Sequence, residues 1–140
     1  MDLHIYLGYM DGRVVFERTI GHEMSGVVVA VGDGVDGLTA GQNIVVRALD
    51  HCGDCPACNA GHQHICHTLK NIGIDTDGAF QQKWNVAAHT IHVLPEDLDL
   101  SHAALIEPLS VAVHDVDGGR SSRAKMFWLL GAAPLGCWLS

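Results

Sequence analysis

Four of the five cysteines in this 140-residue chain fall within HCGDCPACNAGHQHIC, residues 51–66, at positions 52, 55, 58 and 66. The spacing is C-x2-C-x2-C-x7-C, and Gly53, Pro56 and Gly61 supply turns that let a short loop wrap one point. Four thiolates at one point suit tetrahedral zinc. A closed four-sulfur shell leaves no open coordination position, so a metal held this way supports structure. An iron–sulfur cluster is the nearest rival, and a protein carrying one would transfer electrons. Ferredoxin-type runs also begin with two C-x2-C steps, but they close with C-x3-C-P, whereas here His67 follows Cys66 after the longer gap. His51, His62, His64 and His67 flank the cluster and read as solvated loop side chains, because four sulfurs already fill a tetrahedral zinc. The remaining thiol, Cys137, reads as a packed apolar residue.

A second group of ligand-type residues lies upstream in GHEMSGVVVAVGDGV, residues 21–35. The pattern is G-H-E-x2-G-x5-G-x2-V, carried by Gly21, His22, Glu23, Gly26, Gly32 and Val35. The apolar run 27–31 predicts a strand that Gly32 to Gly34 turn. His22 and Glu23 then stand just before a strand on adjacent positions that point differently. One can bind a metal while the other supports it from behind.

The two patterns together resemble the zinc-dependent medium-chain alcohol and polyol dehydrogenases, the group that includes sorbitol, threonine and butanediol dehydrogenases, from Asp2 to about Asp115. The resemblance implies that the four-cysteine loop, within 51–67, is a lobe around a non-catalytic, structural zinc. It implies that His22 is the histidine ligand of a second, catalytic zinc and that Glu23 is the adjacent carboxylate that supports the metal or exchanges with water. ALIEPLSVAVHDV, residues 104–116, looks like the segment that supplies a further ligand, with Glu107 in that position. A Glu there is similar to the polyol-type branches and implies a small-molecule alcohol or polyol substrate. His4 matches the histidine that relays the alcohol proton to solvent, and Asp2 the aspartate near the family's ligand cysteine. Residue types and chemistry agree: one His with carboxylates leaves zinc an open position, where it can act as a Lewis acid on a hydroxyl that gives hydride to a nicotinamide.

The chain departs from that family at both ends. The Cys-Gly-Ser/Thr-Asp-x-His run of the family begins here at its third position, with Met1 standing for the hydroxyl residue, so the catalytic zinc is expected to be one ligand short. KMFWLLGAAPLG, residues 125–136, resembles the first strand and glycine turn of a dinucleotide-binding (Rossmann) unit for NAD or NADP, with Gly131, Ala133 and Gly136 on the G-x-G-x-x-G positions. Ala133 stands where a glycine lets backbone approach pyrophosphate. The sequence stops four residues later. The expected organisation is therefore a GroES-like zinc-binding catalytic domain over 1–116, truncated at its amino end, followed over 117–140 by the start of a truncated dinucleotide-binding domain. Such a fragment is expected to be inactive alone.

The elements that must hold these residues are short. The expected fold is mainly β with short helices, an irregular GroES-like β-barrel. Glycine-rich turns and brief apolar runs dominate 13–50. GAFQQKWNVAAHTIHVLP, residues 78–95, predicts one or two strands with Trp84 and Val86 facing inward. Ser101 is the expected N-cap of a helix over 102–106, and Pro108 opens the next helical turn. A formal net charge of −8 with no offsetting basic run argues against nucleic acid and anionic membrane as partners. No stretch reaches the roughly 18 uninterrupted apolar residues of a membrane span. Reduced thiols and the lack of a signal-like amino terminus predict a cytoplasmic protein. The resemblance implies a homo-dimer or tetramer. The competing reading is a non-enzymatic zinc-binding module that presents a structural or interaction surface.

Overall fold

The computed structural model describes residues 1–15 and 17–120, with side chains described through residue 117. Gly131, Ala133, Gly136 and Cys137, and with them the expected glycine turn, lie outside the described residues.

The β-branched run NIVV forms the middle strand, β2 (Asn43–Val46), because a chain buried on both faces favours such side chains. It pairs antiparallel with β1 (Ser25–Val27), Ser25 opposite Val45, and on its other edge with β5 (Ile91–Val93), Val45 opposite His92. Ile44 and Val46 share one face and join Val28 and Ile72 in the core. Met24, Val31, Trp84, Val86 and Ile91 pack around that cluster, so Trp84 and Val86 do face inward. Full burial of each such aliphatic side chain contributes about 1.5–3 kcal/mol.

β1 is shorter than the expected strand over 27–31. Its partner backbone turns away at Gly41 (φ +93°), after Val28 N–H has bonded to Gln42 O at 3.0 Å and Gly41 N–H to Val28 O at 2.8 Å. Among the described residues no strand pairs with 29–31, and Val29 is exposed.

A second, two-stranded sheet pairs β3 (Leu49–Asp50) with β4 (Lys70–Asn71). Those two strands close the neck of the loop that carries the cysteines. Within the loop, α2 (Pro56–Asn59) begins with Pro56 at its first helical position and Cys55 as its N-cap. The expected irregular β architecture is thus present as two short antiparallel sheets, with much of the remaining pairing made by loop backbone.

Helices flank the sheets. α1 (Asp2–Tyr6) opens the chain, and α3 (Leu100–Ala103) and α4 (Ile106–Arg120) follow β5. The cap of α3 is Asp99 and not Ser101: the Asp99 carboxylate accepts from the N–H of Ser101 at 2.8 Å and of His102 at 3.3 Å. Asp outcompetes Ser here because a charged acceptor also favours the positive end of the helix. Pro108 does sit in the first turn of α4, where its missing N–H has no intrahelical partner to lose. α4 is longer than the short helices expected at this end. Among the described residues no helix is long and apolar enough to cross a membrane.

Candidate metal centres

The sulfurs of Cys52, Cys55, Cys58 and Cys66 all lie within 4.8 Å of one another. Cys66 Sγ is 3.5 Å from Cys52 Sγ and 3.9 Å from Cys55 Sγ. A tetrahedron of sulfurs each about 2.3 Å from zinc has edges of about 3.8 Å. Those separations far exceed the roughly 2.05 Å of a disulfide, and all four cysteines are free. Backbone N–H groups aim at the sulfurs: Cys52 and Thr68 each donate to Cys66 Sγ at 3.4 Å, and Cys58 to Cys55 Sγ at 3.5 Å. Donors of this kind favour the charged form of a thiol. They hold Cys66 below the usual thiol range, as the His67 and Cys58 N–H groups do for Cys55. Burial instead pushes the Cys58 thiol up to about 12, with help from its bond to Cys55. Four sulfurs at these separations fit a tetrahedral metal, which would reverse the position of Cys58 by drawing off its proton.

The flanking histidines stay outside this shell. His62 and His64 are exposed and set edge to face at 5.9 Å. His51 meets Arg47 instead, 2.6 Å from its guanidinium, and His89 beside it reaches Asp50 Oδ1 at 2.7 Å. These two contacts buttress the neck of the lobe, a role that the sequence spacing did not signal.

A second gathering joins His22, Glu23 and Glu107, whose ligand atoms also lie within 4.8 Å of one another. Two distant segments must meet to make it. Gly21 sets the first. Its φ of +98° lies in the left-handed region, and a Cβ would meet the Phe80 ring, with Cε1 at 2.8 Å. The backbone there is clamped from outside: Phe80 N–H bonds Ile20 O at 3.0 Å, Ala79 N–H bonds Gly21 O at 2.9 Å, and Gly78 N–H bonds Thr19 O at 2.7 Å. The second segment arrives on α4, which α3 positions. Ser25 Oγ donates to Leu100 O, tying β1 directly to α3. Leu105 N–H to His102 O at 3.0 Å then links α3 onward to α4.

His22 is only 9% exposed, and its buried Nδ1 has no hydrogen-bond partner. The Asp2 carboxylate stands 3.7 Å from that nitrogen and accepts the Gly21 N–H at 3.3 Å. Burial raises the Glu107 carboxyl above its ordinary range, with His22 pulling it back and the Glu23 charge adding to the rise. A half-buried carboxyl short of positive charge, beside a second carboxylate and an imidazole, fits a divalent cation. The donor set of one His and two carboxylates suits zinc with an open position.

His4 is not brought to this cluster. It is exposed on α1, with its ring edge to face against Tyr9 at 5.8 Å. A cavity of about 450 Å³ opens between the two-stranded sheet and the loop around Trp84, and its lining residues, Asp50 and Asp77 among them, include none from either cluster.

Two short antiparallel sheets, a cysteine lobe and a His-Glu turn before β1 define a GroES-like β domain. The chain belongs to the alcohol dehydrogenase GroES-like domain family, whose profile matches residues 1–96. It is 55% identical over 135 residues to 2-dehydro-3-deoxy-L-galactonate 5-dehydrogenase of Pseudoalteromonas atlantica, covering 96% of this chain and 40% of that one. It is 39% identical over 137 residues to L-threonine 3-dehydrogenase of Pyrococcus horikoshii, covering 96% and 39%. A crystal structure of a short chain alcohol dehydrogenase from Escherichia coli CFT073 complexed with NADH superposes with a TM-score of 0.76 at 34% identity, over 85% of this chain and 34% of that one. The chain thus spans about 40% of the length of the curated relatives it matches.

Proposed function

We propose that this chain is the zinc-binding catalytic part of a dehydrogenase that oxidises a secondary alcohol of a polyol or sugar acid, with NAD or NADP as hydride acceptor. The observation that carries the reading is the convergence of His22, Glu23 and Glu107 from segments far apart in sequence. The names of the relatives support it, since they act on a sugar acid and on threonine, and the superposed Escherichia coli structure holds NADH.

In this reading residues 1–116 form the catalytic domain and 117–140 begin a dinucleotide-binding domain in which Gly131, Ala133 and Gly136 approach the cofactor. Cys52, Cys55, Cys58 and Cys66 hold a structural zinc. His22 and Glu107, with Glu23 as ligand or neighbouring support, hold the catalytic one. Bound there, zinc supplies Lewis-acid chemistry that lowers the pKa of a substrate hydroxyl. The protein does the rest. Asp2 orients the His22 ring across its 3.7 Å approach, fixing which nitrogen faces the metal. His4, exposed on α1 and outside that cluster, is not in reach of the metal site itself, and its proposed part is the last step of a relay that hands the released proton to solvent. A cytoplasmic homo-oligomer is the proposed setting.

Cobalt substitution tests the reading. Polyols or sugar acids should shift the visible spectrum of cobalt held by nitrogen and oxygen ligands, leave the thiolate bands unchanged, and have no effect in Glu107→Ala. A spectrum indifferent to every alcohol tried would count against it.

A further inference from the structure

We infer that Cys52 and Cys66 are a redox modification site: an exposed thiol and a buried partner set to close a reversible disulfide that opens the lobe. The release of metal rests on the reading of the lobe as a zinc centre, whereas the pairing itself rests on geometry.

Of the four sulfur-bearing residues only Cys52 is exposed; Cys55 is half-buried, and Cys58 and Cys66 are buried. A small oxidant arriving from solvent therefore meets Cys52 first. Cys66 Sγ stands 3.5 Å from Cys52 Sγ, closer than the 3.9 Å between Cys55 and Cys66. The Cys52 N–H points at the same sulfur at 3.4 Å, so the backbone of Cys52 already lies folded over Cys66. Cys55 is the nearer thiol in sequence but is committed elsewhere, as the side chain that caps α2 by accepting from Cys58 N–H. Cys58 sits inside that helix, 7% exposed. Exposure selects Cys52, and the 3.5 Å sulfur contact together with the Cys52 N–H on the same sulfur selects Cys66 as its partner, against the usual expectation that a C-x2-C pair closes on itself.

The oxidant is a peroxide. The Cys52 thiolate attacks one peroxide oxygen; an S–O bond forms, the O–O bond breaks, and one water leaves after protonation. The Cys66 thiolate then attacks Cys52 Sγ; the S–S bond forms, the S–O bond breaks, and hydroxide departs as a second water. In sum two thiols and one hydrogen peroxide give one disulfide and two waters, with the protein losing two electrons. Two thiolates cannot complete a four-sulfur shell, so the metal leaves. A dithiol reductant reverses the bond and lets the metal return.

The test uses the full chain, counted for zinc, treated with hydrogen peroxide and alkylated. Cleavage before aspartate separates Cys52, in residues 50–53, from the other three, in 54–74, and from Cys137, in 117–140. The expected product joins 50–53 to 54–74 through Cys66, leaves Cys55 and Cys58 alkylated, and releases one zinc per disulfide to a chromophoric chelator, all undone by dithiothreitol. A Cys55–Cys58 link, a link from Cys52 to Cys55, Cys58 or Cys137, or sulfinic acid at an unlinked Cys52 would overturn the pairing. A chain that holds no zinc in the lobe before peroxide refutes the zinc reading, and the peptide map still decides the pairing.

Discussion

In the cysteine lobe all four cysteines come from one loop, residues 52–66, closed at its neck by two paired strands. In the other cluster Glu107 rides on α4, while His22 and Glu23 stand before β1, and the Ser25 bond to α3 helps bring the two together. A site made from neighbours in sequence can organise a loop that has almost no apolar interior. A site made from distant segments can form only where the fold has already brought them together. The first should therefore contribute to stability when metal binds, and the second should depend on stability that arises elsewhere.

The sharpest way to break this contrast is Cys58→Ser. The change should remove the lobe's zinc and lower the free energy of unfolding by about 3–5 kcal/mol, the scale on which loss of a structural metal stands out from ordinary substitutions. Urea denaturation and a zinc count measure both; a small loss with zinc retained contradicts the structural role. Next comes Gly21→Val, which forces a β-branched residue into φ +98° and into the Phe80 ring. Backbone strain alone costs about 1–3 kcal/mol. It should weaken metal binding at His22 more than at the cysteines, as cobalt titration would resolve.

A smaller effect is expected at the Arg13–Asp75 pair, 3.0 Å apart, which ties the amino-terminal segment to the loop after β4. Burial works to raise the Asp75 carboxyl, but the Arg13 side chain and the Asn71 N–H and amide together hold it below its ordinary value of 3.8. A depressed folded pKa stabilises the protein above the unfolded value, and that contribution fades as pH falls below about 4. Asp75→Asn should cost about 0.5–1 kcal/mol at neutral pH, as exposed pairs do, and flatten the acid limb of the stability profile. An unchanged limb would show that another carboxylate carries it. Least of all should Glu107→Ala affect folding, since its carboxyl is already disfavoured by burial. With no metal at His22, stability should be unchanged within error, while metal binding outside the lobe is lost. If it unfolds the chain as Cys58→Ser does, the division between the regions is wrong.

The same contrast governs what could be read from sequence. The lobe was legible because its ligands are close together and its turns are marked by Gly53, Pro56 and Gly61. His22 and Glu23 stood out only through the glycines around them, and no spacing rule links them to Glu107; the resemblance to a family supplied that partner. The clamp of residues 78–80 on 19–21, in which Ala79 N–H bonds Gly21 O, was invisible because nothing in 19–21 carries a strand pattern that would mark it as a partner. The strand over 27–31 was misjudged for a similar reason: apolar pattern marks what can pair, but Gly41 decides where the partner leaves. At α3 two capping residues, Asp99 and Ser101, stand two positions apart, and only the bonds to Asp99 distinguish them.

The most direct test is zinc per chain by elemental analysis at saturating zinc, for the unaltered chain and for Glu107→Ala. Two unlike centres predict two zinc ions in the first and one in the second. A single zinc in the unaltered chain, or two retained in Glu107→Ala, would contradict a metal centre built from His22, Glu23 and Glu107.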